Sequence, residues 1–322
     1  MPKVTRRDFL KIGGSILAFS IVGRSALASD DFSGNPDRLG MLSDITRCIG
    51  CRRCEGACNK ANDLGTPKTS FEDPSVFEEK RKPYVADNQS YTAINRYNVD
   101  GNTVYRKVQC MHCDEPACAS ACPVAALKKS KDGPVTWNQD VCIGCRYCMV
   151  ACPYYVPAFE YSSAFDPKIQ KCFMCYDNRI KKGVMPACAE ACPVEAITFG
   201  KKSDLMKEAK LRIWNNPDKY IDHVYGEEEV GGTGWLYISN VEFSKLGFPE
   251  GIGTTAFPKL TKDFLSMVNL TLVSWPALLG GFYLATHKSE EKDENAIHQI
   301  SDIKKTDIEN EKVKIIEVEK LR

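Results

Sequence analysis

The 322-residue chain has almost no excess of charge of either sign: 43 lysines and arginines stand against 42 aspartates and glutamates, a formal net charge of +1. That balance excludes the basic footprint of a nucleic-acid-binding protein and, equally, a strongly anionic surface. Long periodic apolar runs are also scarce between Met41 and about Gly200, where eleven of the seventeen prolines fall. Such a stretch cannot build a large conventional core, so bound groups have to supply part of its folding free energy. The glycine run Gly231–Gly234 is followed by neither a P-loop lysine nor a helical pattern, which excludes a phosphate cradle and leaves a turn. No catalytic constellation and no nucleotide fingerprint stand out elsewhere.

Cysteine is what the chain has in plenty. The sixteen cysteines fall into four sets and none lies outside them. Cys48, Cys51, Cys54 and Cys58 are spaced C-x2-C-x2-C-x3-C, as are Cys142, Cys145, Cys148 and Cys152. In Cys110, Cys113, Cys118 and Cys122 the middle gap widens to four residues, and in Cys172, Cys175, Cys188 and Cys192 to twelve. Proline follows the last three sets (Pro123, Pro153, Pro193), whereas Asn59 follows the first. Two cysteines two residues apart wrap one loop around neighbouring irons, a third completes three corners of a cube, and the displaced fourth reaches another cube. Four sets of four therefore predict four [4Fe–4S] clusters. Eight disulfides would suit an exported chain, but dense C-x-x-C-x-x-C runs pair poorly as structural disulfides. Zinc sites would leave the third close cysteine and the Cys-Pro ending without a purpose.

Both ends carry export or membrane signals. Thr5, Arg6, Arg7, Phe9, Leu10 and Lys11 form a twin-arginine pattern, followed by a mildly apolar run from Ile12 to Gly23 and a small-x-small site at Ala26 to Ala28. Residues 1–28 are thus expected to be a twin-arginine signal peptide and 29–40 a linker. From Phe264 to Thr286 there is no charge, a run of 23 residues that suffices for one transmembrane helix. Residues 247–263 read as a linker to it, and 287–322 as a charged, solvated tail. Between these lie the cysteine domain, 41–200, and a peripheral α/β segment, 201–246. Val135–Trp137, Ala196–Phe199 and Trp235–Ile238 have the pattern of short strands, and Val124–Leu127 that of one helical turn. Lys201–Trp214 is expected to be helical, with Leu205, Ala209 and Ile213 on one face.

The stretches Gln109–Cys113, Cys142–Pro153 and Pro186–Pro193, extended by Ala196–Gly200, Tyr225, Gly226 and Gly231–Thr233, resemble the four-cluster ferredoxin-like subunits of membrane redox enzymes. This is the family of formate dehydrogenase beta and dimethyl sulfoxide reductase B subunits, and the likeness covers roughly residues 40 to 240. It implies an α+β fold of two interleaved ferredoxin-like modules, joined here to a C-terminal transmembrane helix. It also implies that cysteine sets one and four share one pair of cubes and sets two and three the other. On that pattern Cys48, Cys51, Cys54 and Cys192 hold one cube, and Cys58, Cys172, Cys175 and Cys188 its neighbour. Cys110, Cys113, Cys118 and Cys152 hold the third, and Cys122, Cys142, Cys145 and Cys148 the fourth. Only nineteen residues, Pro123 to Val141, join the two inner sets, which agrees with one compact module. His112 and Arg146 lie inside cysteine loops, with a loop-holding role favoured over tuning of the clusters.

The resemblance further implies a non-catalytic electron-transfer subunit that relays single electrons. Its expected partners are a redox enzyme's catalytic subunit, by the closest likeness a periplasmic [NiFe]-hydrogenase, and a quinone-reactive integral membrane subunit. A molybdopterin oxidoreductase is the alternative partner. The signal places the domain on the periplasmic face of the cytoplasmic membrane and the tail inside.

Overall fold

A computed structural model describes residues 35, 37–83, 90–161, 169–261, 267–268, 271–284, 299 and 304. The stretch read as a signal peptide and most of the charged tail lie outside them. Residues Leu27–Thr261 form one compact unit, which takes in the segment 201–246.

The central sheet is organised around β1 (Leu39–Asp44), every residue of which is buried after the first. It is buried because it is the middle strand. β8 (Ile197–Lys201) pairs with it antiparallel, from Leu39 opposite Lys201 to Ser43 opposite Ile197. β9 (Trp235–Ile238) pairs with it parallel, from Met41 opposite Trp235 to Asp44 opposite Ile238. Side chains alternate across a strand, so the two faces separate cleanly. Leu42, Leu236 and Ile238 meet the helix α5 (Lys202–Asn215), which returns Leu205, Ala209 and Ile213 to the sheet as its spacing predicts. Met41, Trp235 and Tyr237 point the other way, into a core shared with Ile94, Met111, Met174, Cys54 and Cys188.

Two hairpins flank this sheet. β2 (Ala93–Val99) and β3 (Asn102–Val108) turn at Asp100 and Gly101, both at positive φ (53° and 81°), the two-residue turn that matches strand twist. β4 (Leu127–Lys129) and β5 (Val135–Trp137) form the second, and a short pair, β6 (Ala158–Phe159) with β7 (Ile169–Gln170), completes the strands. Each cysteine set opens a helix: α1 (Arg53–Ala61), α2 (Ala117–Ser120), α3 (Tyr147–Ala151) and α4 (Ala187–Glu190). α1 packs on α4, and α2 on α3. The plan repeats. β1 leads into set one and β8 follows set four, while β5 leads into set three and β4 follows set two, so outer and inner sets build two copies of one module.

The strands at Val135–Trp137 and Trp235–Ile238 fall where the sequence puts them, and Ala196–Phe199 overlaps β8, which begins one residue later and ends two residues later. Val124–Leu127 is not a helical turn. Ala125 adopts φ 51°, closing a turn in which its amide bonds to Cys122 O, and Leu127 already begins β4. β1 begins two residues inside the stretch read as linker. Near the C-terminus, 267–268 and 271–284 are helical. Among the described residues no helix is long and apolar enough to cross a membrane.

Candidate metal centres

The cysteine loops curl through left-handed backbone. Positive φ occurs at Gly50 (71°) and Arg52 (58°) in set one, His112 (50°) in set two, Gly144 (66°) and Arg146 (61°) in set three, and Met174 (55°) and Cys175 (53°) in set four. Alternating right- and left-handed residues turn successive amides toward one side, a concavity suited to an anionic group. Gly50 has a further reason, since a Cβ there would lie 2.4 Å from the Tyr105 ring. Sulfur receives these amides directly. Met174 N donates to Cys172 Sγ at 3.3 Å, Ala126 N to Cys122 Sγ at 3.2 Å and Ala196 N to Cys192 Sγ at 3.3 Å. In set one the amide of Asn62's side chain takes this place, 3.6 Å from Cys58 Sγ.

None of the sixteen cysteines is in a disulfide. They gather across the sets. Cys48 lies near Cys51 and Cys192. Cys58 lies near Cys175 and Cys188, and Cys172 near Cys58 and Cys188. These four, Cys58, Cys172, Cys175 and Cys188, line one pocket together with Lys107, Phe173, Met174 and Trp235. Cys113 is surrounded by Cys110, Cys118 and Cys152, and Cys148 by Cys122, Cys142 and Cys145. Between groups, Cys54 neighbours Cys188, Cys172 neighbours Cys110, and Cys118 neighbours Cys148. Among the described residues no three His, Cys, Asp or Glu side chains converge to hold a single metal ion. Groups of four thiols spread this way suit the separate corners of a cube better than one tetrahedral ion.

Burial pushes the Cys48 thiol up to about 11 and the Cys58 thiol to about 12, in each case partly opposed by a backbone hydrogen bond or by Lys107. Cys148 and Cys152 are raised to about 11, again mainly by burial. Thiols so placed keep their protons unless iron compensates the charge, and thiolate is the ligand form. Sixteen cysteines grouped across the sets, with backbone amides donating to Cys122, Cys172 and Cys192, fit [4Fe–4S] clusters.

Charged side chains hold the loops from behind. Glu55, fully buried beside Cys54, accepts from Arg52 Nε and Nη2 (3.1 and 2.9 Å), Arg81 Nη1 and Nη2 (3.1 and 2.7 Å) and the Ile94 amide (2.6 Å). Asp114, beside Cys113, is gripped by Arg38 through both oxygens (3.0 and 2.9 Å) and by Lys202 at 2.7 Å. Burial works against its charge, but Lys202, Lys129 and Arg38 outweigh it and hold its pKa below the ordinary value. His112 is fully buried and its Nδ1 accepts the Val135 amide at 2.9 Å, which ties the set-two loop to β5. Arg146 instead lies over the rings of Phe159 and Tyr161. Both observations agree with loop-holding roles. The glycine run also finds its purpose here. Gly234 N donates to Met111 O at 3.0 Å and Asp114 N to Gly232 O at 2.9 Å, while a Cβ on Gly232 would meet Asp114 Oδ2 at 2.7 Å. The chain passes there because it has no side chains to hold it off.

Sequence reasoning missed Lys107 and Lys171, both buried among the cysteines. Burial pushes the pKa of Lys107 down, but Cys188, Cys54 and Cys172 push it further up, so the net direction is upward. Lys171 Nζ donates to the carbonyls of Val135 and Cys172. Only the fold brings these two lysines to the sulfurs.

Fold and cysteine geometry together define an iron–sulfur protein of the ferredoxin-like class. The 4Fe–4S dicluster domain matches residues 102–202. A protein of Nitratidesulfovibrio vulgaris is 50% identical over 291 residues, covering 88% of this chain and 78% of that one. Hydrogenase-2 operon protein HybA of Escherichia coli O157:H7 is 36% identical over 280 residues, 77% of this chain and 84% of HybA. The B subunit of anaerobic dimethyl sulfoxide reductase from Escherichia coli K12 is 39% identical over 171 residues, 53% of this chain and 77% of the relative. The chain belongs to this family of 4Fe–4S dicluster subunits. It is an iron–sulfur electron-transfer subunit of an oxidoreductase complex and carries [4Fe–4S] clusters.

Proposed function

We propose that the chain conducts electrons between a periplasmic [NiFe]-hydrogenase catalytic subunit and a quinone-linked membrane subunit, through four cubes ligated across the cysteine sets. The ligand sets are Cys48, Cys51, Cys54 with Cys192; Cys58 with Cys172, Cys175 and Cys188; Cys110, Cys113, Cys118 with Cys152; and Cys122 with Cys142, Cys145 and Cys148. Bound cubes supply one-electron carriers. The observation that carries the reading is the electrostatic influence from group to group, Cys188 on Cys54, Cys110 on Cys172 and Cys148 on Cys118, which links the four in one line of succession. Of the sixteen, only Cys51 and Cys145 are exposed, one at each end of that line. Each sits beside an exposed isoleucine, Ile49 and Ile143, so two separate surfaces are available to two partners.

The hydrogenase assignment draws on the likeness to HybA, which extends over most of both proteins. The likeness to the dimethyl sulfoxide reductase B subunit covers about half of this chain and favours a molybdopterin enzyme as the second reading. Purification of the intact complex distinguishes them: nickel in the co-purifying catalytic subunit is expected, and molybdenum would overturn the assignment. The ligand sets have their own test. The protein should hold about sixteen irons and about sixteen acid-labile sulfides. Cys192→Ser should alter the EPR signal that Cys51→Ser alters, and Cys175→Ser a different one. If Cys192→Ser and Cys175→Ser changed the same signal, each set would bind its own cube and the interleaving would be wrong.

A further inference from the structure

Lys107 stands in β3, three residues before set two, and is only 3% exposed. Burying an ammonium is costly unless something compensates it. Its nearest protein partners are neutral: Nζ donates to Thr92 Oγ1 and, at 3.3 Å, to Gln109 Oε1, and lies 4.8 Å from the centre of the Trp235 ring. The other buried lysines near cysteines are placed differently. Lys129 and Lys202 share the carboxylate of Asp114, and Lys171 is aimed at two backbone carbonyls. Lys107 instead lines the pocket of Cys58, Cys172, Cys175 and Cys188, and its charge also acts on Cys48 and Cys54. Those residues belong to both outer ligand sets. The cation therefore faces cysteines of both outer ligand sets.

A positive charge beside a cluster stabilises the form that holds the extra electron, and low dielectric strengthens the effect while salt screens it little. We propose that Lys107 sets the potentials of the outer pair: a buried cation, paired with no carboxylate among the described residues, that raises the reduction potential of both outer cubes. It is a positioning charge rather than a ligand. The proposal rests on the ligand sets given above, and the test below separates the two.

The experiment is a redox titration of the purified complex followed by EPR. Lys107→Met is expected to lower the midpoint potentials of two clusters, those whose signals Cys54→Ser and Cys175→Ser change, and to leave the other two where they were. Lys107→Arg, which keeps the charge, should stay near the wild type. Lys107→Gln, which keeps a polar end beside Thr92, covers the case in which the Met variant does not assemble. Unchanged midpoints in a neutral variant with all four clusters present, or a shift confined to the inner pair, would overturn the proposal. Loss of the outer pair in both neutral variants, with the Arg variant intact, would also overturn it, because Lys107 would then be a structural counter-charge. Should Cys54→Ser and Cys175→Ser change one and the same signal, the ligand sets fail, and the number of clusters shifted by Lys107→Met is still read directly.

Discussion

Glu55 shows how much a single side chain can hold in this fold. Its carboxylate joins α1, the segment bearing Arg81 and strand β2 at one buried point, through two guanidiniums and an amide. Removing one partner from such a group leaves the others charged and desolvated, which costs about 3–5 kcal/mol. Glu55→Ala is expected to lower the unfolding free energy by that order in a urea titration followed by the cluster absorbance, with Glu55→Gln in between; an unchanged midpoint would show that water replaces the carboxylate. The neighbouring motif carries a second lesson. Arg52 and Arg146 occupy the same place in their C-x-x-C loops and share the same left-handed backbone, φ 58° and 61°. Arg52 is nevertheless buried against Glu55, while Arg146 lies exposed over aromatic rings. The loops share Cys-Ile-Gly-Cys-Arg, but three residues after the arginine set one has Glu55 and set three Met149, so the energetic weight differs: removal of Arg146 concerns a surface cation–π contact of about 0.5–1 kcal/mol.

Among the elements, the helices that hold the third cysteine of each set differ in where they stop. α2, α3 and α4 end before the fourth cysteine, and a proline follows it. α1 instead runs through Cys58 to Ala61, and Asn59, at the place of those prolines, is interior to it. Its side chain bonds to Gly65 O at 2.8 Å beyond the helix end. Proline inside a helix removes a backbone bond and clashes with the preceding turn, at a cost of about 3 kcal/mol. Asn59→Pro should therefore destabilise the chain by about that amount in urea titration, although it restores the motif of the other three sets. Equal stability would mean that α1 can end early without loss. The same contrast explains the misplaced turn at Val124–Leu127. A small apolar stretch after Cys-Pro has helical propensity, but the amides of Ala125 and Ala126 are drawn back to Cys122, one to its carbonyl and one to its sulfur. Local capture of those amides outweighs propensity.

For the whole molecule, the cysteine unit and the chain ends raise separate questions. The described helical residues 271–284 expose Leu272, Trp275, Leu278, Leu279, Phe282 and Tyr283, and almost every residue of that stretch is exposed. These side chains belong to the uncharged run Phe264–Thr286, which is long enough in the sequence for one span. With the twin-arginine pattern at the other end, this supports a domain held at the periplasmic face by one C-terminal span, the arrangement proposed here. A reporter fused after Arg322 should then be active only when it is a cytoplasmic type; activity of a periplasmic type would show that the helix does not cross or that the signal is not used.

Cluster chemistry was legible from spacing alone, because cysteines at two- and three-residue intervals constrain the loop to curl around a multi-iron group whatever surrounds it. The helix carrying Leu205, Ala209 and Ile213 and the strands at Val135–Trp137 and Trp235–Ile238 were legible too, since periodicity reports which face is buried. The hairpin at Asp100-Gly101 carries the Asp-Gly turn signal but is not among the strands expected above, and the structure supplied it. Other features were decided by tertiary structure. β1 is the central strand only because β8 and β9 arrive from more than 150 residues away along the chain to pair with it. Glu55, Asp114 and Lys107 are ordinary charges in the sequence, and became buried ties and an interior cation through contacts with distant elements. No local pattern encodes such meetings, because burial of a charge depends on which partners the whole fold brings to it.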